Sequence, residues 1–346
     1  MEYRRLGQSG LKVSELCLGT MTFGHGTDEA TAKQMVDLAL DAGVNFVDTA
    51  NTYGGGLSEI MVGKALKGRR RDVVLATKFT NPTGPGPNDS GMSRVHIMNA
   101  IEDSLRRLQT DWVDIYYVHH VDVQTPLEEM LRALDDLVHA GKVRYIACSN
   151  YEAWRLMEAL WISDSQHLAR FVCYQPQYSL IVRDIELELI PACQYKGLGI
   201  VVWSPLAGGF LSGKYKPGQR VLPGTRSEEK WVFPQRFLDA GGDEILEALL
   251  AVAAEVGRTP AQVALRWVLD QPGITSAIVG ARTVEQLRDN LASAGWRLPA
   301  DAMARLSEVS QLPDRYPQAI ERDMHERRNG AVGRQPRLPT GPDAAS

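Results

Sequence analysis

Four side chains of unlike chemistry stand out along the chain: Asp48, Tyr53, Lys78 and His119. A tyrosine phenol, with a free pKa of about 10, is too weak an acid to protonate a carbonyl oxygen efficiently near neutral pH. A lysine ammonium beside it stabilises the phenolate and lowers that pKa. An aspartate paired with the lysine holds the ammonium in place. A neutral histidine can donate to the substrate oxygen and stabilise developing negative charge. Such a set polarises a carbonyl and delivers a proton, yet it holds no hydride. A reductase built on it must take one from a cofactor. Taken singly, each residue has a bland reading, because a lysine or histidine at a strand end is usually solvated or structurally hydrogen-bonded. Convergence of all four on one face gives the reading its weight.

The elements that must position them follow from periodicity. Short apolar runs alternate with stretches of helical period along most of the 346 residues. Eight runs read as strands: 16–18, 45–48, 73–77, 115–118, 143–148, 171–174, 199–203 and 277–279. Asp48 closes the second and Tyr53 stands in the loop beyond it. Lys78 directly follows the third, and His119 the fourth. Between strands, residues 30–42 place Met35, Leu38, Ala39 and Ala42 on one stripe, and residues 94–108 do so with Ile97, Ile101, Leu105 and Leu108. Asp28 and Ser93 suit N-caps, and Gly43 and Gly141 suit helix C-termini.

Strands joined through helices imply a parallel sheet. An open doubly wound sheet predicts G-x-G-x-x-G after its first strand. The chain has Leu18-Gly19-Thr20-Met21 there instead. A count of eight favours a closed barrel, with its site at the C-terminal ends of the strands. Residues 3–13, turning at Ser9-Gly10, read as a hairpin that plugs the barrel bottom. Two long loops, 81–91 and 206–242, would project over the mouth. The barrel is expected over 1–312. Residues 313–346, with five prolines, are expected to form an extension, largely disordered or loosely docked, with a helical turn or two within 314–328.

Composition excludes several classes. Lys plus Arg number 38 against 42 Asp plus Glu, a net charge of -4, which argues against nucleic acid or anionic membrane as the main partner. No stretch approaches the roughly 20 apolar residues of a membrane span, and the start offers no apolar core for a signal peptide, so cytoplasm is expected. Cys17, Cys148, Cys173 and Cys193 form no C-x-x-C pair and read as buried thiols. His119 and His120 are adjacent, and neighbours on a regular strand point to opposite faces, so no metal is expected.

At this point the chain resembles the aldo-keto reductase superfamily over roughly residues 3–312. The motifs are Gly43-Val44-Asn45-Phe46-Val47-Asp48-Thr49-Ala50 with Tyr53-Gly54 and Ser58-Glu59; Asp111 to His119; Gly141-Lys142-Val143-Arg144 running to Cys148-Ser149-Asn150; and Tyr174-Gln175-Pro176-Gln177-Tyr178. The resemblance implies a (β/α)8 TIM barrel and a catalytic tetrad of Asp48, Tyr53, Lys78 and His119, with Tyr53 the general acid. It implies NADP(H) as hydride donor and a small-molecule carbonyl substrate. Ser149, Asn150 and Gln175 would meet the nicotinamide carboxamide, Trp203 would stack on the ring, and Gly19, Thr20, Met21 and Asp48 would lie nearby. Ser204, Pro205, Leu206, Gly208, Gly213 and Lys214 would follow the pyrophosphate.

At the adenosine end the chain departs from many relatives. Gly280 and Gln286 stand where a lysine and an arginine are common, leaving Arg282 as the cation, as in the branch that includes potassium-channel β subunits and related bacterial reductases. A guanidinium grips a phosphate through paired hydrogen bonds, so NADPH is expected over NADH, with Gln286 and Asn290 facing adenosine. Pocket walls are expected from Met21, Phe23, Tyr53, Phe79, His119 and His120, with Trp231 and Phe233 as lid residues. Two other readings compete: a cofactor-binding regulatory or scaffold subunit, and a lyase using Lys78 as a Schiff-base nucleophile. The last is disfavoured because Asp48 would keep Lys78 charged. Nothing in the chain defines an oligomer interface.

Overall fold

The computed structural model describes residues 1–219 and 241–329. After an antiparallel hairpin, β1 (Tyr3–Arg5) and β2 (Lys12–Ser14), come β3 (Leu16–Gly19), β4 (Phe46–Asp48), β5 (Val74–Phe79), β6 (Val113–Val118), β7 (Val143–Ser149), β8 (Phe171–Gln175), β9 (Gly199–Val202) and β10 (Ile274–Val279). The last eight pair in parallel in chain order, and β10 returns to β3, closing a (β/α)8 barrel. The surrounding helices are α1 (Glu29–Asp41), α2 (Leu57–Ala65), α3 (Arg94–Leu108), α4 (Leu127–His139), α5 (Ala153–Gln166), α6 (Leu189–Lys196), α7 (Gly242–Val256), α8 (Pro260–Leu269), α9 (Val284–Leu291), α10 (Ala300–Val309) and α11 (Gln318–Asn329).

Local chemistry explains where the helices start. The Asp28 carboxylate accepts the Thr31 N–H at 2.8 Å ahead of α1, and the Ser93 hydroxyl accepts that of His96 at 3.3 Å ahead of α3. Strand alternation then sorts the core. Phe46, Val74, Ala76, Ile115, Tyr117, Ala147, Cys173 and Val201 pack in the barrel interior with Leu6 and Val13 of the hairpin. Their neighbours Val47, Leu75, Tyr116 and Val118 join the layer between sheet and helices. The hairpin closes the bottom. Gln8 N–H donates to the Gly197 carbonyl at 2.8 Å, and a Cβ added at Gly7 would lie 2.4 Å from that same oxygen.

Some expectations need correcting. Lys78 does not follow its strand but lies within β5, which runs one residue further to Phe79. An inward Lys78 turns Phe79 outward, and its ring packs in the outer layer against Tyr116 at 4.8 Å. Phe79 is therefore no pocket wall. Phe23 is also buried in that outer packing. Beyond residue 312, α11 is longer than the turn or two expected. All four cysteines are free and buried, as anticipated.

Candidate active site

Register brings the chemistry together. Asp48 pairs with Ala76 across β4 and β5, and Lys78 pairs with Tyr117 across β5 and β6, so the functional side chains meet at the C-terminal end of three adjacent strands. The buried Lys78 Nζ ion-pairs with Asp48, donates to the Thr49 carbonyl at 2.8 Å, and lies 3.3 Å from the Tyr53 hydroxyl. The same ammonium is 4.9 Å from the centre of the Tyr53 ring. Gln175 Nε2 donates to the other Asp48 oxygen at 3.1 Å. The His119 ring meets Tyr53 edge-on, 5.9 Å between centroids.

A glycine turn delivers Tyr53. Residues Tyr53–Gly56 turn sharply through left-handed backbone at Gly54 (φ +57) and Gly55 (φ +65), and the Phe23 carbonyl lies only 2.7 Å from where a Cβ on Gly54 would stand. No other residue fits there. The turn is tied down from behind. The Ser58 hydroxyl donates to the Thr20 carbonyl at 2.8 Å and also contacts the hydroxyls of Thr20 and Thr49. Buried Glu59 accepts from Thr77 at 2.5 Å and from Arg107 at 2.6 Å.

Electrostatics separate the roles. Burial works against the Lys78 charge, but Asp48 and Tyr53 together outweigh it and hold the ammonium's pKa above its ordinary value. Burial, reinforced by Lys78 and His120, pushes the His119 imidazole well below its ordinary range. The site thus presents a charged lysine, a phenol and a neutral histidine around one point.

Neighbouring strand ends carry the groups suited to a dinucleotide. Ser149 Oγ donates to the Gln175 carbonyl at 2.7 Å, and Asn150 Nδ2 donates to the His119 carbonyl at 3.0 Å. Trp203 Nε1 donates to Asn150 Oδ1 at 3.2 Å, which fixes the plane of a half-buried indole. Three non-glycine residues just past strands have positive φ: Thr80 at 113°, Asn150 at 60° and Ser204 at 54°. Such strained backbone persists where surrounding structure over-determines it, and it clusters at functional sites. Ser204 Oγ accepts from Gly208 N–H at 3.0 Å, opening a turn in which Gly208 and Gly209 also have positive φ. Lys214 beyond it is exposed. Amide side chains, a flat indole face and a glycine turn fit a nicotinamide dinucleotide.

At the adenosine end, Gln286 Oε1 accepts from the Arg282 N–H at 3.0 Å, and Asn290 Nδ2 donates to the Gly280 carbonyl at 3.4 Å. Both side chains hold the loop that carries Arg282. Of the other residues singled out, Gly19 packs against Ile278, Thr20 is buried on Ser58, and Met21 is exposed. His120 does not obey strand alternation, because β6 ends at Val118; its ring stacks on His119 at 4.7 Å. Trp231 and Phe233 lie outside the described residues. Sequence reasoning missed Asn81, whose Nδ2 is 3.4 Å from His119 Nδ1, and the Glu59–Arg107 pair. A polar residue soon after a strand end was the available signal for Asn81; nothing linear ties Arg107 to Glu59.

Comparison with known proteins completes the description. Residues 15–311 match the model of the aldo/keto reductase family. Over 324 residues the chain is 42% identical to an uncharacterized oxidoreductase, YrpG, of Bacillus subtilis, covering 90% of this chain and 97% of that protein. It is 37% identical over 299 residues to a probable voltage-gated potassium channel subunit beta of Arabidopsis thaliana, covering 84% and 90%. To protein Tas of Escherichia coli it is 36% identical over 346 residues, covering 90% and 98%.

Proposed function

Since the chain belongs to the aldo/keto reductase family and is an NAD(P)H-dependent oxidoreductase of small carbonyl compounds, we propose that it reduces an aldehyde or ketone with NADPH, using Tyr53 as proton donor. The observation that carries this reading is the Lys78 ammonium shared between Asp48 and the Tyr53 phenol oxygen. Bound NADPH would supply the hydride. The chain's own residues do the rest. Tyr53 gives its proton to the carbonyl oxygen as negative charge develops there, and Lys78 stabilises the phenolate left behind. Asp48 anchors Lys78, while neutral His119 donates to the same substrate oxygen and orients it. Ser149, Asn150 and Gln175 would hold the carboxamide, and Trp203 the ring face.

Tyr53→Phe removes the acid and little else. Turnover should fall by about 10²–10⁴-fold, while NADPH binding, followed by tryptophan fluorescence, should persist. Retained turnover would sink the assignment of the acid. Preference for NADPH rests on Arg282, the cation beside Gly280 and ahead of α9. Arg282→Ala should weaken NADPH far more than NADH; equal weakening would show that Arg282 does not read the 2′-phosphate.

A reading as a regulatory subunit draws on the likeness to the channel β subunit. The complete acid–lysine–aspartate arrangement favours turnover instead. Tight NADPH binding without reduction of any carbonyl compound would reverse that ranking.

A further inference from the structure

Both of the exposed tryptophans among the described residues stand on one helix. Trp154 and Trp161 of α5 are 59% and 67% exposed. Residues seven apart share one side of a helix, about 10 Å from each other along its axis. The opposite side, with Leu156, Ala159, Leu160 and Ile162, packs into the barrel, so neither indole serves the chain's own core. Tyr195, next to last in α6, is 68% exposed on the helix that runs beside α5. A whole aromatic side chain presents roughly 150–250 Å², so these three leave roughly 300–500 Å² of aromatic surface in water. Tryptophan and tyrosine carry much of the energy of protein interfaces, and an apolar patch of this size marks a place where another surface sits.

The charges around the patch select what covers it. Glu158 stands between the two indoles, exposed and, among the described residues, without an ion pair. Arg155 lies at the edge of the patch, its guanidinium over the Trp154 ring at 4.4 Å. α5 carries this one arginine against Glu158 and Asp164, whereas a helix that rests on an anionic membrane has a basic face. A second copy of the same helix meets both the apolar and the charged requirement. Two α5 helices laid antiparallel about a twofold axis near residues 157 and 158 set Trp154 of each against Trp161 of the other. Glu158 of each copy then lies within a turn of Arg155 of the other. A standard interface takes about 800 Å² from each partner, and the aromatic surface supplies roughly half of that. We propose that α5, flanked by Tyr195 of α6, is the contact face of a twofold dimer of this chain, with the two tryptophans at its centre. The proposal stands independently of the reaction catalysed.

Sedimentation velocity of the full chain over the micromolar range tests this. The wild type should run at twice the mass of one chain. The variant carrying both Trp154→Ser and Trp161→Ser should run at the mass of one chain. Its far-ultraviolet circular dichroism should match the wild type, because both side chains already face water in the single chain. Glu158→Lys keeps the indoles but gathers four cations at the axis, and should weaken the dimer roughly tenfold or more. A wild type that stays a single chain throughout the range overturns the proposal. A dimer or larger assembly that survives loss of both tryptophans overturns it too, since the interface then lies elsewhere. An unchanged dimer dissociation constant in Glu158→Lys overturns the antiparallel arrangement and with it the proposed dimer.

Discussion

A fully buried lysine stays charged only where its surroundings offset the loss of water. For Lys78 the offset comes from one carboxylate, one carbonyl and one phenol, all within a hydrogen-bond length or close to it. Replacing it with Met strands Asp48 and leaves the Tyr53 phenol without its cation. The expected result is a loss of turnover of at least about 10²-fold, with the alkaline fall of the surviving reductase activity displaced to higher pH, because the phenol that must stay protonated has lost the cation that favoured its ionised form. A pH–rate profile of Lys78→Met that parallels the wild type would contradict this role. The histidines act on stability. Burial lowers the pKa of His96, His119 and His120 in the folded chain. Below about 6.5 the unfolded chain takes up protons that the folded chain refuses, so stability is full above that pH and is lost as pH falls toward the folded values. Urea midpoints measured between pH 7.5 and 5.5 should fall on acidification. His96→Phe should flatten that slope, since its ring sits against Phe79 and its Nε2 is buried with no partner among the described residues.

The unit that sets catalytic geometry is the segment from β4 through the glycine turn into α2. Ser58 ties its far end to β3 and to the end of β4, and Glu59 ties it to β5 and α3. Glu59 is wholly buried and Arg107 only partly so. Removing the carboxylate leaves Thr77 and Arg107 facing a void, and breaking such a pair from one side costs about 3–5 kcal/mol. Glu59→Ala should therefore unfold at clearly lower urea, with Glu59→Gln intermediate because it retains an acceptor for Thr77. Equal midpoints for Glu59→Ala and wild type would mean the pair holds nothing. Much of this element was legible beforehand: Asp48 at a strand end, the glycines after Tyr53, and Ser58-Glu59 all lie within a dozen residues. Strands and caps were legible for the same local reason, since alternation and an N-terminal Asp or Ser leave marks in sequence. Long-range register was not. The extra residues of β5 turned Phe79 away from the site, and the early end of β6 let His120 swing onto His119. Both depend on where a ladder stops, which the partner strand decides.

Across the whole molecule, the two ends of the barrel carry different burdens. The top holds the reactive groups and the strained residues Thr80, Asn150 and Ser204. The bottom holds a buried charge network that joins distant parts of the chain. The Glu15 carboxylate, directly ahead of β3, takes Arg266 of α8 at 2.9 Å and Arg4 of the hairpin at 3.2 Å. It also accepts the backbone N–H of Glu2 at 3.3 Å and of Gly295 at 3.4 Å. Arg4 in turn donates to the carbonyls of Leu269 and Ile274, so the hairpin, the first barrel strand and the last are fastened together where the ring closes. Conserving function needs only the top; closing the ring needs the bottom. Glu15→Ala removes one of the two carboxylates that meet the wholly buried Arg266, Asp270 at 3.0 Å being the other, and the loss should be about 1–3 kcal/mol. Protein that remains folded should keep its NADPH affinity and kcat, because nothing in the network touches Asp48, Tyr53, Lys78 or His119. Chemical denaturation measured alongside steady-state kinetics separates the two effects. A fall in kcat that matches no change in stability would show that the closure of the barrel at its base also sets the geometry at its mouth.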